Sequence, residues 1–419
     1  MATVRPFRAV RPLPGLAAQV ASLPYDVMNR AEAKTMAADN PLSFLHVVRA
    51  EIDLPDRIDD YDDQVYQKGC DRLREMIEEG VLEQDDRPMF YLYRQIMKGR
   101  VQTGVVATFS VDDYLANKIK KHEFTRKDKE VDRTRHFDTC DAHTEPVFLT
   151  YRSQSAINRL INDFIKFNDP VYDFKTEDGI THLLWLLDDR EAISKLEALF
   201  DQVDALYIAD GHHRSAVSAN IAMKRRRDYP DAPADAEFNY FMAVVFPDED
   251  LFIMDYNRVV RDLNGMTPED FLERISGIYQ LEPVEEPFRP HRKAEMCMYL
   301  QDRWYKLTAP PSLFEGLDPV KRLDVSLLQD NILTPLLAID DPRTSMRIDF
   351  VGGIRGLDEL KRRVDEGWAA AFVMCPTTMD DLLDIADAEM VMPPKSTWFE
   401  PKLRSGLFVH MFDDWPSCS

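Results

Sequence analysis

Two rhythms of apolar and polar residues run through this chain. In "MFYLYRQIMKGRVQTGVVATFSV", residues 89–111, strand-length apolar runs flank Lys98-Gly99, which predicts two strands joined by a tight turn. Between 56 and 80, Tyr61, Val65, Cys70, Leu73 and Met76 recur at roughly helical spacing, so a helix is expected there. "PVFLTY" predicts another strand, 154–167 a helix, and "YDFKTEDGITHLLWLLD" a hairpin turning at Asp178-Gly179. A helix near 191–200, the strand "DALYIA" and a helix ending near Arg227 follow, then the strands "NYFMAVVF" and "LFIMDYNRVV".

The remainder predicts a helix at "TPEDFLERISGIY", a hairpin at "MCMYLQDRWYKLT" and a helix at "LDVSLLQDNILTPLLAI". A strand at "MRIDFV", a helix at 357–364 and strands at "AAFVM" and "GLFVHMF" complete it. Hairpins interleaved with helices give an α+β fold with mixed, largely antiparallel sheets and packed helices. A soft boundary at Asn264-Gly265 divides it into a region 1–264 and an α+β region 265–419 that brings a "KST" loop back to the site of the first.

Composition narrows the function classes. The chain has 419 residues, 45% of them hydrophobic and 30% charged, so a globular core is expected. A net charge of -22 argues against nucleic acid and anionic membranes as partners. Five scattered cysteines without a CxxC pair, no apolar leader in "MATVRPFRAVRPLPG" and no membrane-length apolar run lead us to expect a soluble, cytoplasmic protein.

Against that acidic background, local positive charge stands out. "YIADGHHRSAV", 207–217, runs from a strand through a turn into a helix, and a helix start offers free N–H groups to an anion. Gly211 would admit a phosphate close to the backbone, and His212, His213 and Arg214 would add donors, arginine in two-pronged fashion. Asp210, at the strand end, is placed to hold a metal ion or take a proton from a hydroxyl. Singly, each of these residues reads equally well as a cap, a turn residue or a surface donor.

Three further stretches join it. "KIKKHEFTRKDKEVDRTRH", 118–136, holds eight Lys or Arg against four Asp or Glu; on a helix His122, Arg126, Lys129 and Arg133 would share a face, with Glu123 and Glu130 beside it. An exposed helix of alternating charge would show the same composition. "MPPKSTWFEPKLRSG", 392–406, offers Lys395, Ser396, Thr397, Lys402 and Arg404, but lacks the GxxxxG that would make "KST" a P-loop. "LPYDVMNRAEA" places Asp26 after Pro-Tyr, where it either ends a strand or acts as an acid.

Through "PYDV", "HEFTRKDKEVDR", "IADGHHR" and "MPPKSTWFEPK", in this order, the chain resembles a bacterial family known as domain-of-unknown-function family 1015. The DGHHR corner is also similar to that of free-serine kinases of the ParB/sulfiredoxin-like fold, although Ser215 stands where an aromatic usually follows. That second resemblance implies a strand–turn–helix phosphate corner, with Gly211, His212, His213 and Arg214 around nucleotide phosphates and Asp210 by the metal and the reacting hydroxyl. ParB-type DNA binding is not implied.

The expected activity is a small-molecule kinase moving a phosphoryl group from ATP or ADP, with Mg²⁺, to a small hydroxyl substrate, free L-serine being the best guess. Asp210, Glu123 and Asp26 are its candidate catalytic carboxylates. His122, Thr125, Arg126, Lys129, Arg133, Lys395, Ser396, Thr397 and Lys402 join Gly211–Arg214 as candidate phosphate contacts, and Asp210 is the metal candidate. The alternatives are a non-catalytic nucleotide-responsive binding protein and a metal-dependent phosphate hydrolase.

Overall fold

The hairpin at Lys98-Gly99 forms as its residues demand. Both take positive φ, 50° and 82°, as a two-residue turn matched to strand twist requires, and Phe90–Met97 pairs with Arg100–Ser110 from Met97↔Arg100 onwards. This is a computed structural model, and it describes residues 2–125 and 127–412. Among them, no helix is long and apolar enough to cross a membrane.

The chain divides into two compact units, one of residues 1–121, 125–251 and 401–419, the other of 122–124 and 252–400. The first is built on a nine-stranded sheet. Its order is Ile119–Lys120, Leu206–Asp210, Val147–Tyr151, Tyr240–Pro247, Arg100–Ser110, Phe90–Met97, Thr181–Leu187 and Tyr172–Lys175, with Val4–Arg5 also on Arg100–Ser110. Two pairings are parallel, Leu206–Asp210 with Ile119–Lys120 and Tyr240–Pro247 with Val147–Tyr151; the others are antiparallel.

Alternate residues, among them Phe90, Leu92, Val105, Ala107, Leu149 and Val245, face one core, which Ile157, Ile161, Leu196 and Phe200 of two amphipathic helices complete. A second core lies among the helices Leu45–Val48, Asp63–Glu78 and Lys127–Cys140, where Val47, Cys70, Leu73, Met76 and Cys140 pack.

The second unit is a six-stranded, wholly antiparallel sheet, ordered Gln280–Val284, Arg303–Thr308, Glu295–Leu300, Ala370–Val373, Tyr256–Val260 and Ile348–Gly352. Val259, Tyr299, Val351, Ala371 and Val373 pack there against Leu360 of the helix Leu357–Asp365. The α+β class with largely antiparallel sheets is thus the observed one.

Several segments differ from their sequence reading. The basic stretch 118–136 is not one helix: Ile119–Lys120 is a strand, and the helix begins at Lys127, so His122 shares no helical face with Lys129 and Arg133. The helix expected over 323–339 spans Asp324–Leu328 and gives way to a wider turn at Gln329–Leu333, just before Pro335, which has no amide to continue the ladder. "GLFVHMF" forms a strand only at His410–Met411. The helix Met379–Asp387 has no counterpart among the expected elements, although Thr378 and Asp381 form a capping box at its start.

Candidate functional site

The strand Leu206–Asp210 ends beside Val147–Tyr151, with a bulge between Ile208 and Asp210. Gly211 then turns the chain with φ 92° and ψ 30°, and the helix His212–Asp228 starts at the next residue. A Cβ at Gly211 would lie 3.1 Å from Arg214 Nε and 3.2 Å from its Cζ, so the guanidinium folds back under the turn. Its Nη1 donates to the Pro146 carbonyl, and the residue is buried. His212 is buried too, whereas Asp210 and His213 keep partial exposure.

An internal guanidinium must be compensated, and this one is. Burial works to lower the Arg214 pKa, but Asp26, Asp210 and Glu145 around it raise it. Asp210 Oδ2 accepts from Lys402 Nζ at 2.9 Å and Oδ1 from the Gly211 amide at 2.8 Å. Burial pushes the Asp210 carboxyl up; Lys402 and Arg214 overcome it and hold the group well below the usual carboxylate range. Asp210 is therefore an ionised carboxylate.

Glu145 is the hub of this cluster. Its Oε1 accepts from the Tyr25 amide at 3.1 Å and from Ser405 Oγ at 2.9 Å. Burial pushes its carboxyl up, against the pull of Arg214 and Arg133. Arg133, also buried, pairs with Asp132 at 3.0 Å and lies 4.2 Å over the Tyr25 ring. Arg49 Nη1 donates to the Tyr25 carbonyl at 3.1 Å and Arg49 pairs with Glu51 at 2.6 Å, so the short turn carrying the exposed Asp26 is fixed from several sides.

Several buried side-chain atoms have no hydrogen-bond partner among the described residues, and two of them belong to Glu145 and Arg214 at the centre of this cluster. Among the described residues, neither Glu145 Oε2, an acceptor, nor Arg214 Nε, a donor, has a hydrogen-bond partner, and both are buried. Leaving such groups unmet costs about 1–3 kcal/mol each, more when charged.

The C-terminal strap, 401–412, completes the unit. Gln95 Nε2 holds the Lys402 carbonyl at 2.9 Å, and Ser22 and Ser405 exchange backbone hydrogen bonds. Arg404 pairs with Asp178 and donates to His182 Nε2 at 3.4 Å. Burial and Arg404 push His182 down to about 3, so its ring stays neutral and can accept that bond.

The structure thus gathers Asp26, Arg133, Asp210, Gly211, Arg214 and Lys402 in one cluster. Lys129 donates to the Tyr61 hydroxyl at 3.0 Å, and the Thr125 hydroxyl to Glu130. His122, Glu123, Lys395, Ser396 and Thr397 belong to the second unit, and Arg126 lies outside the described residues. Sequence reasoning missed Glu145 and Ser405; the one available signal was an acid placed directly before the apolar run "PVFLTY". It read Arg214 as a two-pronged phosphate contact; the guanidinium faces inward to Pro146 and three carboxylates.

A family model for a protein of unknown function, DUF1015, matches residues 4–326. The chain belongs to that family. No curated protein matches it. Among solved structures, SbnI with a C-terminal truncation from Staphylococcus aureus is 10% identical, with a TM-score of 0.39, 74% of this chain and 90% of that one being covered. A free serine kinase in complex with AMP is 12% identical, at TM-score 0.35 over 73% and 92%. A conserved hypothetical protein from Pyrococcus furiosus is 13% identical, at 0.34 over 74% and 96%. All three are remote.

Proposed function

We propose that this DUF1015 member is a small-molecule phosphotransferase that moves a phosphoryl group from a nucleotide, ATP or ADP, to a hydroxyl, with free L-serine the first acceptor to test. One observation carries the reading: an ionised Asp210 stands in the same cluster as an unmet buried acceptor, Glu145 Oε2, and an unmet buried donor, Arg214 Nε. An alcohol both donates and accepts, so it suits that pair of atoms as neither a pure donor nor a pure acceptor would.

The roles follow from the charges. The helix His212–Asp228 turns its N-terminal end, the positive end of its dipole, toward the place phosphate oxygens would take. Glu145, its proton affinity raised by burial, is suited to take the hydroxyl proton, while Arg214 orients the alcohol oxygen. Lys402 keeps Asp210 ionised. The carboxylates of Asp210 and Asp26 are the hard oxygen donors Mg²⁺ takes, and each Asp210 oxygen accepts one hydrogen bond and keeps a lone pair. A bound Mg²⁺ would supply charge neutralisation on the phosphates.

The test is phosphorus NMR on the purified full chain with ATP or ADP and a panel of amino acids and polyols. A phosphate ester should form with the native chain and not with Asp210→Asn. Nucleotide binding without transfer to any acceptor would establish the regulatory reading instead, and phosphate release without an acceptor a hydrolase.

A further inference from the structure

The cluster above does not use the pair of buried histidines at the far end of the strap. His143 and His410 are cross-strand partners where Ala142–His143 meets His410–Met411. Their rings stack with centroids 5.4 Å apart and planes at 24°, and their Nδ1 atoms are 3.2 Å apart. A hydrogen bond between two Nδ1 atoms needs one proton, not two. His410 Nε2 sits 2.8 Å from Glu237 Oε2. When His410 Nε2 donates there and its Nδ1 accepts, His143 supplies the shared proton and its own Nε2 is bare. That Nε2 is buried and has no hydrogen-bond partner among the described residues.

We propose that His143 and His410 form an acid-sensitive latch, which holds the strap 401–412 beside Asp210 and Glu145 and releases it when His143 takes up a further proton. A proton on His410 Nδ1 would face the one on His143 Nδ1. A proton on His143 Nε2 would create a buried, unpaired cation. The rings of Phe137 and Phe412, with centroids 5.4 and 4.7 Å from His143, offer that cation no hydrogen-bond acceptor.

The surrounding charges point the same way. Arg225, over the Phe412 ring at 4.7 Å, is a cation near His143, and its partners Asp138 and Asp141 are engaged by it. Glu237 is shared between His410 and Arg5. Burial, then His410 and Arg225, hold His143 well below the ordinary histidine range. Protons have a route: His410, Glu237, Arg5, Arg8 and Glu197 line a cavity of about 250 Å³.

Both strands of the latch lead to the site. His143 precedes Glu145 by two residues, and His410 follows Ser405, the residue that donates to Glu145, by five. Opening the pair loosens the far end of the strap that supplies Ser405 and Lys402, leaving it to its contacts with Gln95, Ser22 and Asp178. Because the folded-state pKa of His143 lies below its unfolded value of about 6.5, the latch is fully stabilising above that pH and weakens as pH falls beneath it. The proposal does not depend on phosphotransfer.

Hydrogen exchange of strap peptides from the full chain, normalised to unfolded-chain rates between pH 7.5 and 5, tests it. Native protection should fall with decreasing pH, by up to about tenfold per unit. His143→Phe, which keeps an aromatic ring but cannot titrate, should make the profile flat. A flat native profile, or an equal fall in His143→Phe, overturns the latch. Should that variant not fold, ring-proton NMR of the native chain decides: a His143 ring that stays neutral in the closed strap while protection falls below about pH 6.5 supports the latch, and a ring that takes up a proton near 6.5 with the strap closed overturns it.

Discussion

Two places in this molecule carry the residues of a phosphate grip, the Asp210–Arg214 corner of the first unit and the Lys395–Thr397 turn of the second. In the second, Ser396 Oγ donates to the Pro393 carbonyl at 2.6 Å, and the Ser396 carbonyl accepts from Thr377 Oγ1 at 2.8 Å. Arg258 Nη2 holds the Lys395 carbonyl at 3.0 Å, in a turn where Lys395 takes φ 58°. That hydroxyl and those carbonyls are already engaged in holding the turn. In the first unit, charges of both signs are buried together, yet Glu145 Oε2 and Arg214 Nε are unmet. Native proteins satisfy most buried polar groups, so an exception asks for an explanation, and a ligand is one. Residue type does not separate the two places; hydrogen-bond satisfaction does.

The sharpest way to break this comparison is to remove the central cation. Arg214→Ala leaves Asp26, Asp210 and Glu145 without their shared partner. Breaking one side of a buried ionic cluster costs about 3–5 kcal/mol, so urea unfolding should show a loss of that size. A loss under about 1 kcal/mol, the usual worth of an exposed pair, would mean that water already screens the cluster.

Asp210→Asn keeps most of the volume and the acceptor for the Gly211 amide but removes the charge that Lys402 meets. Transfer to a hydroxyl should fall by about 10²–10⁴, the range of general acid–base contributions. Nucleotide affinity measured without metal should change little. Full transfer activity would remove Asp210 from the chemistry and direct attention to Glu145 and Asp26.

A pH series on Glu145 sharpens the comparison further. Burial raises this carboxyl in the folded state above its unfolded value, so its favourable contribution is complete below the unfolded pKa of about 4.3 and is lost as pH rises through the folded one. Glu145→Gln removes that dependence. Stability of the native chain relative to the variant should therefore decline as pH rises from 4; a constant difference would mean that Glu145 keeps one protonation state throughout.

Much of the framework was legible because it is local. The turn at Lys98-Gly99 and the strand–turn–helix at Asp210–Gly211–His212 follow from positive-φ positions beside apolar runs. Asp26, Arg133 and Lys402 were singled out by charge in unusual surroundings, and the fold brings them to the corner. Glu145 was not visible: one acid before a strand is common, and its importance arises from Tyr25, 120 residues away, and Ser405, 260 away, converging on it. The inward turn of Arg214 was hidden for the same reason, since Pro146, 68 residues distant, accepts its bond. Periodicity reports which face is buried; it does not report which distant partner meets a buried charge.

The smallest expected effect belongs to the other half of the comparison. Ser396→Ala deletes one buried neutral hydrogen bond, to the Pro393 carbonyl, and leaves the Ser396 carbonyl that Thr377 uses. Such a bond contributes about 0.5–1.5 kcal/mol, well below the cost of Arg214→Ala. A turn whose hydroxyl serves its own backbone should lose only that stability in urea unfolding, with nucleotide affinity unchanged. A drop in affinity of tenfold or more, about 1.4 kcal/mol, at unchanged stability would show the hydroxyl exchanging Pro393 for a ligand. The "KST" turn would then be a phosphate contact after all, and satisfaction within the unit would no longer distinguish the two places.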